Sequence, residues 1–232
     1  MEKNILAIIT ARGGSKRIPR KNIKLFLGQP IIKYSIGASL QAGIFAEVMV
    51  STDDRAIADV AESSGATVPF FRSEKNSGDQ ATTADVMLEV LAEYQKQGKN
   101  FDYVCCLYPT APFVTSARLV EAVKLLDQTG SDAVLPVTRF SFPIQRALKI
   151  ESNLVKMIWP ENLNIRSQDL MPAYHDCGQF YALNIKSFLE QKKLYMDKTA
   201  PLIIPESEVQ DIDTEEDWKI AEMKYKILQA GK

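Results

Sequence analysis

The stretch Ile5-Leu6-Ala7-Ile8-Ile9-Thr10-Ala11-Arg12-Gly13-Gly14-Ser15-Lys16-Arg17 decides how the chain is read. Its apolar run is bounded by polar residues and is too short for a helix, so Ile5 to Thr10 reads as a strand buried on both faces. Glycines and cations follow at once. Gly13 and Gly14 let successive backbone N–H groups turn toward one anion, and Arg12, Lys16, Arg17 and Lys21 can add charge-assisted hydrogen bonds. Between Arg12 and Lys24 six of thirteen residues are Lys or Arg and none is acidic. A solvated basic turn has the same composition. Two glycines directly after a buried strand favour an anion grip instead. The spacing is neither Gly-x4-Gly-Lys-Ser/Thr nor Gly-x-Gly-x-x-Gly, which turns the reading away from Walker-type, kinase-type and dinucleotide loops.

Outward from this stretch, buried runs alternate with amphipathic ones. Helices are expected over Ile31 to Ala42, Asp53 to Ser64, Thr83 to Gln97 and Ser116 to Thr129, with Gly65, Gly98 and Gly130 as stops. Strands are expected over Val48 to Ser51, Val68 to Phe71, Tyr103 to Leu107 and Ala133 to Val137. This alternation predicts an α/β fold with a mostly parallel sheet, whose ligands bind beyond the carboxyl ends of the strands. From Arg139 to Tyr174 the pattern loosens around Pro143, Pro160 and Pro172, as in a β-rich arm inserted into a single domain spanning 1–232. Strands return at Gln179 to Asn184 and Leu202 to Ile204, before a closing helix from Thr214 to Gln229. Thr214 is its expected N-cap, and Glu215, Glu216 and Asp217 suit the first turn.

The bulk numbers set limits. A 232-residue chain that is 46% hydrophobic can bury a substantial core. A net charge of −1 argues against nucleic acid or an anionic membrane as the main partner, so phosphate binding has to come from the local cluster. The run Ile5 to Ile9 is too short for a signal peptide and nothing approaches a membrane span, which leads to the expectation of a cytoplasmic protein. Cys105, Cys106 and Cys177 lack zinc-site spacing and read as reduced thiols.

Ala7 to Asn22 closely resembles the opening motif of the cytidylyltransferases that make CMP-activated nine-carbon acidic sugars. Thr10 departs from that motif's usual proline. The resemblance continues through Ser51-Thr52-Asp53-Asp54, Arg72, Ser77-x-Asp79, Leu107-Tyr108-Pro109-Thr110-Ala111-Pro112 and Asp211-Ile212-Asp213-Thr214, covering nearly the whole chain in order. It implies a Rossmann-like nucleotidyltransferase fold of the glycosyltransferase-A type, with CTP, an acidic sugar and Mg²⁺ as ligands. Arg12, Ser15 and Lys21 would contact the triphosphate within a loop that includes Ala11, Gly13, Gly14 and Lys16. Asn22 would contact the nucleotide, Arg72 and Ser77 the cytidine side, and Pro109 and Thr110 the base pocket. Asp211 and Asp213 match the family's magnesium pair. Independently, two carboxylates two residues apart on an extended segment point the same way and suit a hard cation. Arg12, Lys21 and Asp211 are the expected catalytic groups.

Tyr108 stands where sialic acid enzymes commonly carry glutamine. The string Leu107 to Phe113, together with Ser167-Gln168-Asp169-Leu170 and Tyr174 to Tyr181, resembles the pseudaminic acid branch. Cys177 and Ala182 depart from that branch's alanine and tryptophan. Arg166 is the expected clasp for the sugar carboxylate. Tyr108, Gln168, Tyr174, Asp176 and Gln179 would complete the sugar site. His175, the only histidine, has no triad partners beside it. The 139–174 excursion resembles the family's dimerisation arm and implies a homodimer. Three alternatives remain open: a sialic or legionaminic acid substrate, an eight-carbon acid, and a non-catalytic nucleotide-sugar-binding regulator.

Overall fold

The computed structural model describes residues 3–230. Strand β1 (Ile5–Thr10) leads through a basic loop and a small hairpin, β2 (Leu25–Phe26) and β3 (Gln29–Pro30), to helix α1 (Ile32–Ala42). Then come β4 (Glu47–Ser51), α2 (Arg55–Ser63), the short α3 (Glu74–Ser77), α4 (Thr83–Lys96), β5 (Tyr103–Leu107), α5 (Ser116–Thr129) and β6 (Ala133–Arg139). An outlying hairpin, β7 (Leu148–Glu151) and β8 (Leu154–Met157), precedes β9 (Tyr174–Asp176) and β10 (Phe180–Asn184). Helix α6 (Ile185–Gln191), strand β11 (Thr199–Ile203) and helix α7 (Glu215–Ala230) close the described chain.

Seven strands form one sheet in the order β11-β6-β10-β5-β1-β4, with β9 added against β6. Pairings β1 with β4 and β5, and β6 with β11, are parallel; β10 runs antiparallel between β5 and β6. The mostly parallel α/β fold read from the sequence is observed. Period-two alternation splits the core. Ile5, Ala7 and Ile9 of β1 join the layer containing Ile36, Ile57 and Leu119, whereas Leu6 and Ile8 join Met87, Leu91 and Phe188 on the other face. A third cluster of Ile18, Phe26, Ile31, Ile212 and Trp218 binds the basic loop to the segment before α7. Phe26 sits edge-on to both Tyr34 and Trp218 within it.

Several details differ from the sequence expectation. Residues 68–71 form no strand: only Thr67 bridges to Met49, and Pro69 lacks the N–H a ladder needs. Helix α2 starts at Arg55 because Asp54 is its cap, accepting from Ile57 N at 3.1 Å. The hairpin β2–β3 and helix α6 are additional. The excursion leaves and re-enters the sheet at one place, where Arg139 pairs with Tyr174. Its hairpin turns at Ser152 and Asn153, both at positive φ, as a type I′ turn requires. Ile150, Leu154, Val155 and Leu163 of this arm are strongly exposed, Ile150 at 76%.

Candidate active site

Buried β1 delivers the basic loop to the carboxyl edge of the sheet, where Ala11 N donates to Ser51 O at 2.9 Å and ties the loop to β4. A cleft of about 400 Å³ opens there. Arg12, Ser15, Lys16, Arg17, Lys21 and Asn22 line one side, and Tyr108, Pro109 and Thr110 line the other. The structure thus brings together most of the expected nucleotide contacts and one of the sugar contacts. The two glycines differ. A Cβ on Gly13 would lie 3.0 Å from Asp54 Cβ and Oδ2, whereas one on Gly14 would meet nothing within 4 Å.

The cations are engaged by carboxylates from distant parts of the chain. Arg12 pairs with Asp79 at 2.7 Å, and Lys16 pairs with the other oxygen of the same carboxylate. These two cations hold Asp79 well below the usual carboxylate range, Lys16 contributing most. Gly13 N donates to Asp53 Oδ1 at 2.8 Å. Arg17 reaches Asp213 at 2.7 Å, and Lys21 Nζ donates to Ile212 O at 2.7 Å and lies 3.6 Å from Asp213. Asn22, buried, donates from its side-chain amide to Arg12 O at 2.8 Å and so holds the loop from below. Local sequence showed the positive half of this arrangement and, of the carboxylates, only Asp213 as a candidate site residue. Asp53, Asp54 and Asp79 were visible only as members of short motifs, because their partnership with the loop is made by the fold.

Asp211 is exposed as a residue, yet its carboxylate is crowded by neighbouring protein. That desolvation, followed by the adjacent Asp213 charge, raises its pKa, with Lys21 opposing. Two acceptor-only groups, one carrying an unfavourable charge, form a donor set that a divalent cation would relieve. The fit to Mg²⁺ rests on this pair alone: among the described residues no cluster of three or more acidic, histidine or cysteine side chains is arranged to hold a metal.

Other expected residues stand apart from the cleft wall. Arg72 is buried and donates from Nε to Ser51 Oγ at 3.1 Å and from its terminal nitrogen to Ser51 O at 2.6 Å. Burial lowers its pKa, and Asp53 opposes the shift. It braces the end of β4 rather than lining the opening. Ser77 Oγ donates to Ser73 O at 2.7 Å. Arg166 is 73% exposed along its side chain and pairs with Asp169 at 2.7 Å, and Tyr174 is exposed on the arm's return. Gln168 lines a separate cavity of about 560 Å³ with Arg139, Leu170 and Ile204. Gln179 is buried and donates to Glu208 O at 2.6 Å. Asp176 accepts from Gly178 N at 2.8 Å and from the hydroxyls of Tyr181 and Tyr195 at 2.5 and 2.8 Å. His175 packs against Phe140 with ring centroids 4.7 Å apart, and its Nδ1 meets Asp176 O at 2.9 Å.

Among the described residues no helix is long and apolar enough to cross a membrane. The family pattern described as Cytidylyltransferase matches residues 6–227. The sequence is 43% identical over 223 residues to the pseudaminic acid cytidylyltransferase of Campylobacter jejuni subsp. jejuni serotype O:2, a match covering 96% of each chain. It is 37% identical over 228 residues to the CMP-N,N'-diacetyllegionaminic acid synthase of Legionella pneumophila subsp. pneumophila, covering 97% of each. A solved structure of CMP:2-keto-3-deoxy-manno-octonic acid synthetase complexed with CTP aligns with a TM-score of 0.69 at 15% identity, covering 98% of this chain and 99% of that one. At that identity the likeness speaks for the fold alone.

Proposed function

The chain belongs to the cytidylyltransferase family, and we propose that it transfers CMP from CTP to the anomeric 2-hydroxyl of pseudaminic acid, releasing pyrophosphate. The observation that carries the reading is 43% identity across 96% of both chains to a relative of that name. The cleft supports it, because Arg12, Lys16 and Lys21 converge on the carboxyl edge of the mostly parallel sheet opposite Pro109 and Thr110.

In this reading the triphosphate takes over the cations that Asp79 and Asp213 now occupy. The sugar's 2-hydroxyl oxygen attacks the α-phosphorus in line, the bond from that phosphorus to the bridging oxygen breaks, and pyrophosphate leaves. Arg12 and Lys21 neutralise the charge that builds on the α-phosphoryl oxygens, and holding both substrates in line supplies most of the remaining acceleration. The hydroxyl proton leaves to water in the open cleft, since Asp211 is assigned to the metal. Asp211 and Asp213 would hold Mg²⁺, which when bound supplies further charge neutralisation to the phosphates. Asn22 maintains the loop, Arg72 serves the cytidine side by bracing the β4 end, and Ser77 remains assigned to the cytidine side. Arg166, Gln168, Tyr174 and Gln179 remain assigned to the sugar. Arg166 is the least enclosed of them and depends on a partner subunit to bury it.

We further propose that the exposed face of the 139–174 arm, with Ile150, Leu154 and Val155 on its hairpin, joins two copies into a homodimer. We also propose a cytoplasmic location. A legionaminic acid substrate is the second reading, favoured by the 37% relative. Incubating the protein with CTP, Mg²⁺ and each of pseudaminic, legionaminic and N-acetylneuraminic acid, while following pyrophosphate, tests both. Highest kcat/KM on pseudaminic acid is expected. Preference for either other acid overturns the substrate assignment, and no pyrophosphate with any of them overturns the enzymatic one.

A further inference from the structure

We infer that Asp176 is a positioning residue for Tyr108, acting through Tyr181, rather than a ligand of the acceptor. The inference rests on the reading that substrates occupy the cleft beside Tyr108.

The Asp176 carboxylate faces the protein. Its Oδ2 accepts from both Tyr181 OH, at 2.5 Å, and Tyr195 OH, at 2.8 Å, and its Oδ1 accepts from Gly178 N at 2.8 Å. An ionised carboxylate has about four lone-pair directions; both on Oδ2 are taken, and the one left is on Oδ1 beside Gly178 N. Because Asp176 only accepts, it also fixes the direction of the Tyr181 O–H bond. Tyr181 is buried at 4% exposure, and a buried hydroxyl without that partner would be costly.

Tyr181 in turn touches the cleft wall. Its ring stands edge-on to Tyr108, with centroids 5.8 Å apart and planes at 86°. The Tyr108 backbone is held on both sides: its N donates to Gln179 O at 2.9 Å, and its O accepts from Ser35 Oγ at 2.8 Å. With the backbone fixed, the ring's torsions are the freedom that remains, and the Tyr181 edge limits them. The Tyr108 hydroxyl meets Thr83 Oγ1 in a long contact of 3.4 Å and also interacts with the Tyr181 side chain, so Tyr181 helps to hold its far end as well as its ring. Asp176 therefore sets the pose of an aromatic wall that it does not reach itself. The same carboxylate pins the turn at Gly178, where φ is +61° and an added Cβ would stand 3.8 Å from Asp211 Cγ. One side chain thus braces the tyrosine wall and the turn beneath the acidic pair.

The test is a double-mutant cycle on Asp176→Asn and Tyr181→Phe, read as kcat and KM for the acid that the wild type turns over best. CTP affinity of the sugar-free protein is measured by calorimetry on the same four proteins. Each single substitution is expected to lower kcat/KM for the acid about tenfold, the scale of one charge-assisted hydrogen bond. The double variant should be no worse than either single. Multiplying effects would mean that Asp176 meets the substrate directly, and unchanged kinetics in folded variants would leave it a purely structural role; either overturns the inference. If Asp176→Asn does not fold, Tyr181→Phe alone decides, since it removes one hydroxyl, and wild-type kcat/KM in that variant overturns the inference. Wild-type silence on every acid sinks the proposed function instead. The CTP-affinity cycle is then decisive, with a shared, non-multiplying loss expected and independent or absent losses overturning the inference.

Discussion

Replacing Gly13 and Gly14 by alanine, one at a time, should damage two different properties. At Gly13 the new methyl would lie 3.0 Å from Asp54 Cβ and Oδ2. Asp54 cannot simply swing aside, because its Oδ1 caps helix α2 and stands 3.6 Å from Arg20. Overpacking of this kind costs about 1–3 kcal/mol, and loss of an N-cap about 1 kcal/mol. For a chain of this length each kcal/mol lowers Tm by about 2–4 °C, so Gly13→Ala should melt about 4–16 °C lower. At Gly14 the methyl enters open space, and the backbone φ lies outside the left-handed region. Gly14→Ala should therefore keep its Tm or gain slightly, by about 0.4–1 kcal/mol from a stiffer unfolded chain. If the loop backbone approaches the triphosphate, that same methyl should raise the KM for CTP by roughly tenfold or more. Thermal unfolding followed by circular dichroism, paired with pyrophosphate release, reads both. Equal Tm losses in the two variants would refute the role of packing at Gly13. Wild-type kinetics in Gly14→Ala would refute the close approach.

Lys21→Ala should lower kcat by about 10²–10³, the scale of one transition-state donor, while far-UV circular dichroism stays native; near-normal pyrophosphate release would remove Lys21 from the mechanism. Asp211 has a raised folded pKa, so its contribution to stability is present below the unfolded value near 3.8 and is lost as pH rises through the folded one. Asp211→Asn should thus melt slightly higher than wild type at pH 7.5 without metal and show no such gain at pH 3.5, while losing its Tm response to Mg²⁺; an unchanged Mg²⁺ response would exclude Asp211 as a ligand. If the proposed dimer forms through the arm, Ile150→Asp, at a 76% exposed position, should convert it to a monomer in light scattering with Tm changed by little beyond the lost association. A dimer that survives it places the interface elsewhere.

The legibility of the fold followed burial. Strands β1 and β5 and helix α5 have the bounds their residue patterns imply, because each is a buried run or amphipathic stripe closed by a glycine or a cap. The run 68–71 misled because Val68, Phe70 and Phe71 are β-formers whose ladder Pro69 interrupts. Helix α6 starts from the Asn184 cap directly at the end of β10, and no turn signal separates the two. That β10 inserts antiparallel between β5 and β6 is a non-local pairing with no local signature. The site divides in the same way. The glycines and cations of the loop are contiguous and could be read. Their carboxylate partners and the bracing role of Arg72 depend on residues far apart in the chain meeting in space, as Lys21 and Ile212 do across 191 positions. The enclosure of Asp176 by Tyr181 and Tyr195 spans fewer residues, but it depends on side-chain directions that no local pattern encodes.

The thiols offer a use that is independent of catalysis. Cys105 and Cys106 are neighbours on β5, yet they face opposite core layers, so the two sulfurs look away from each other through the middle of the sheet. Burial raises the pKa of both, Cys106 to about 12, and an alkylating reagent needs an exposed thiolate. Cys177 is also buried and raised to about 12, but it sits in the Asp176–Gly178 turn beside the proposed site. Labelling of Cys105 and Cys106 therefore clocks the opening of the whole sheet, and labelling of Cys177 clocks the breathing of one turn. A mass spectrometer counting labels over time would separate the two motions within one unmodified chain.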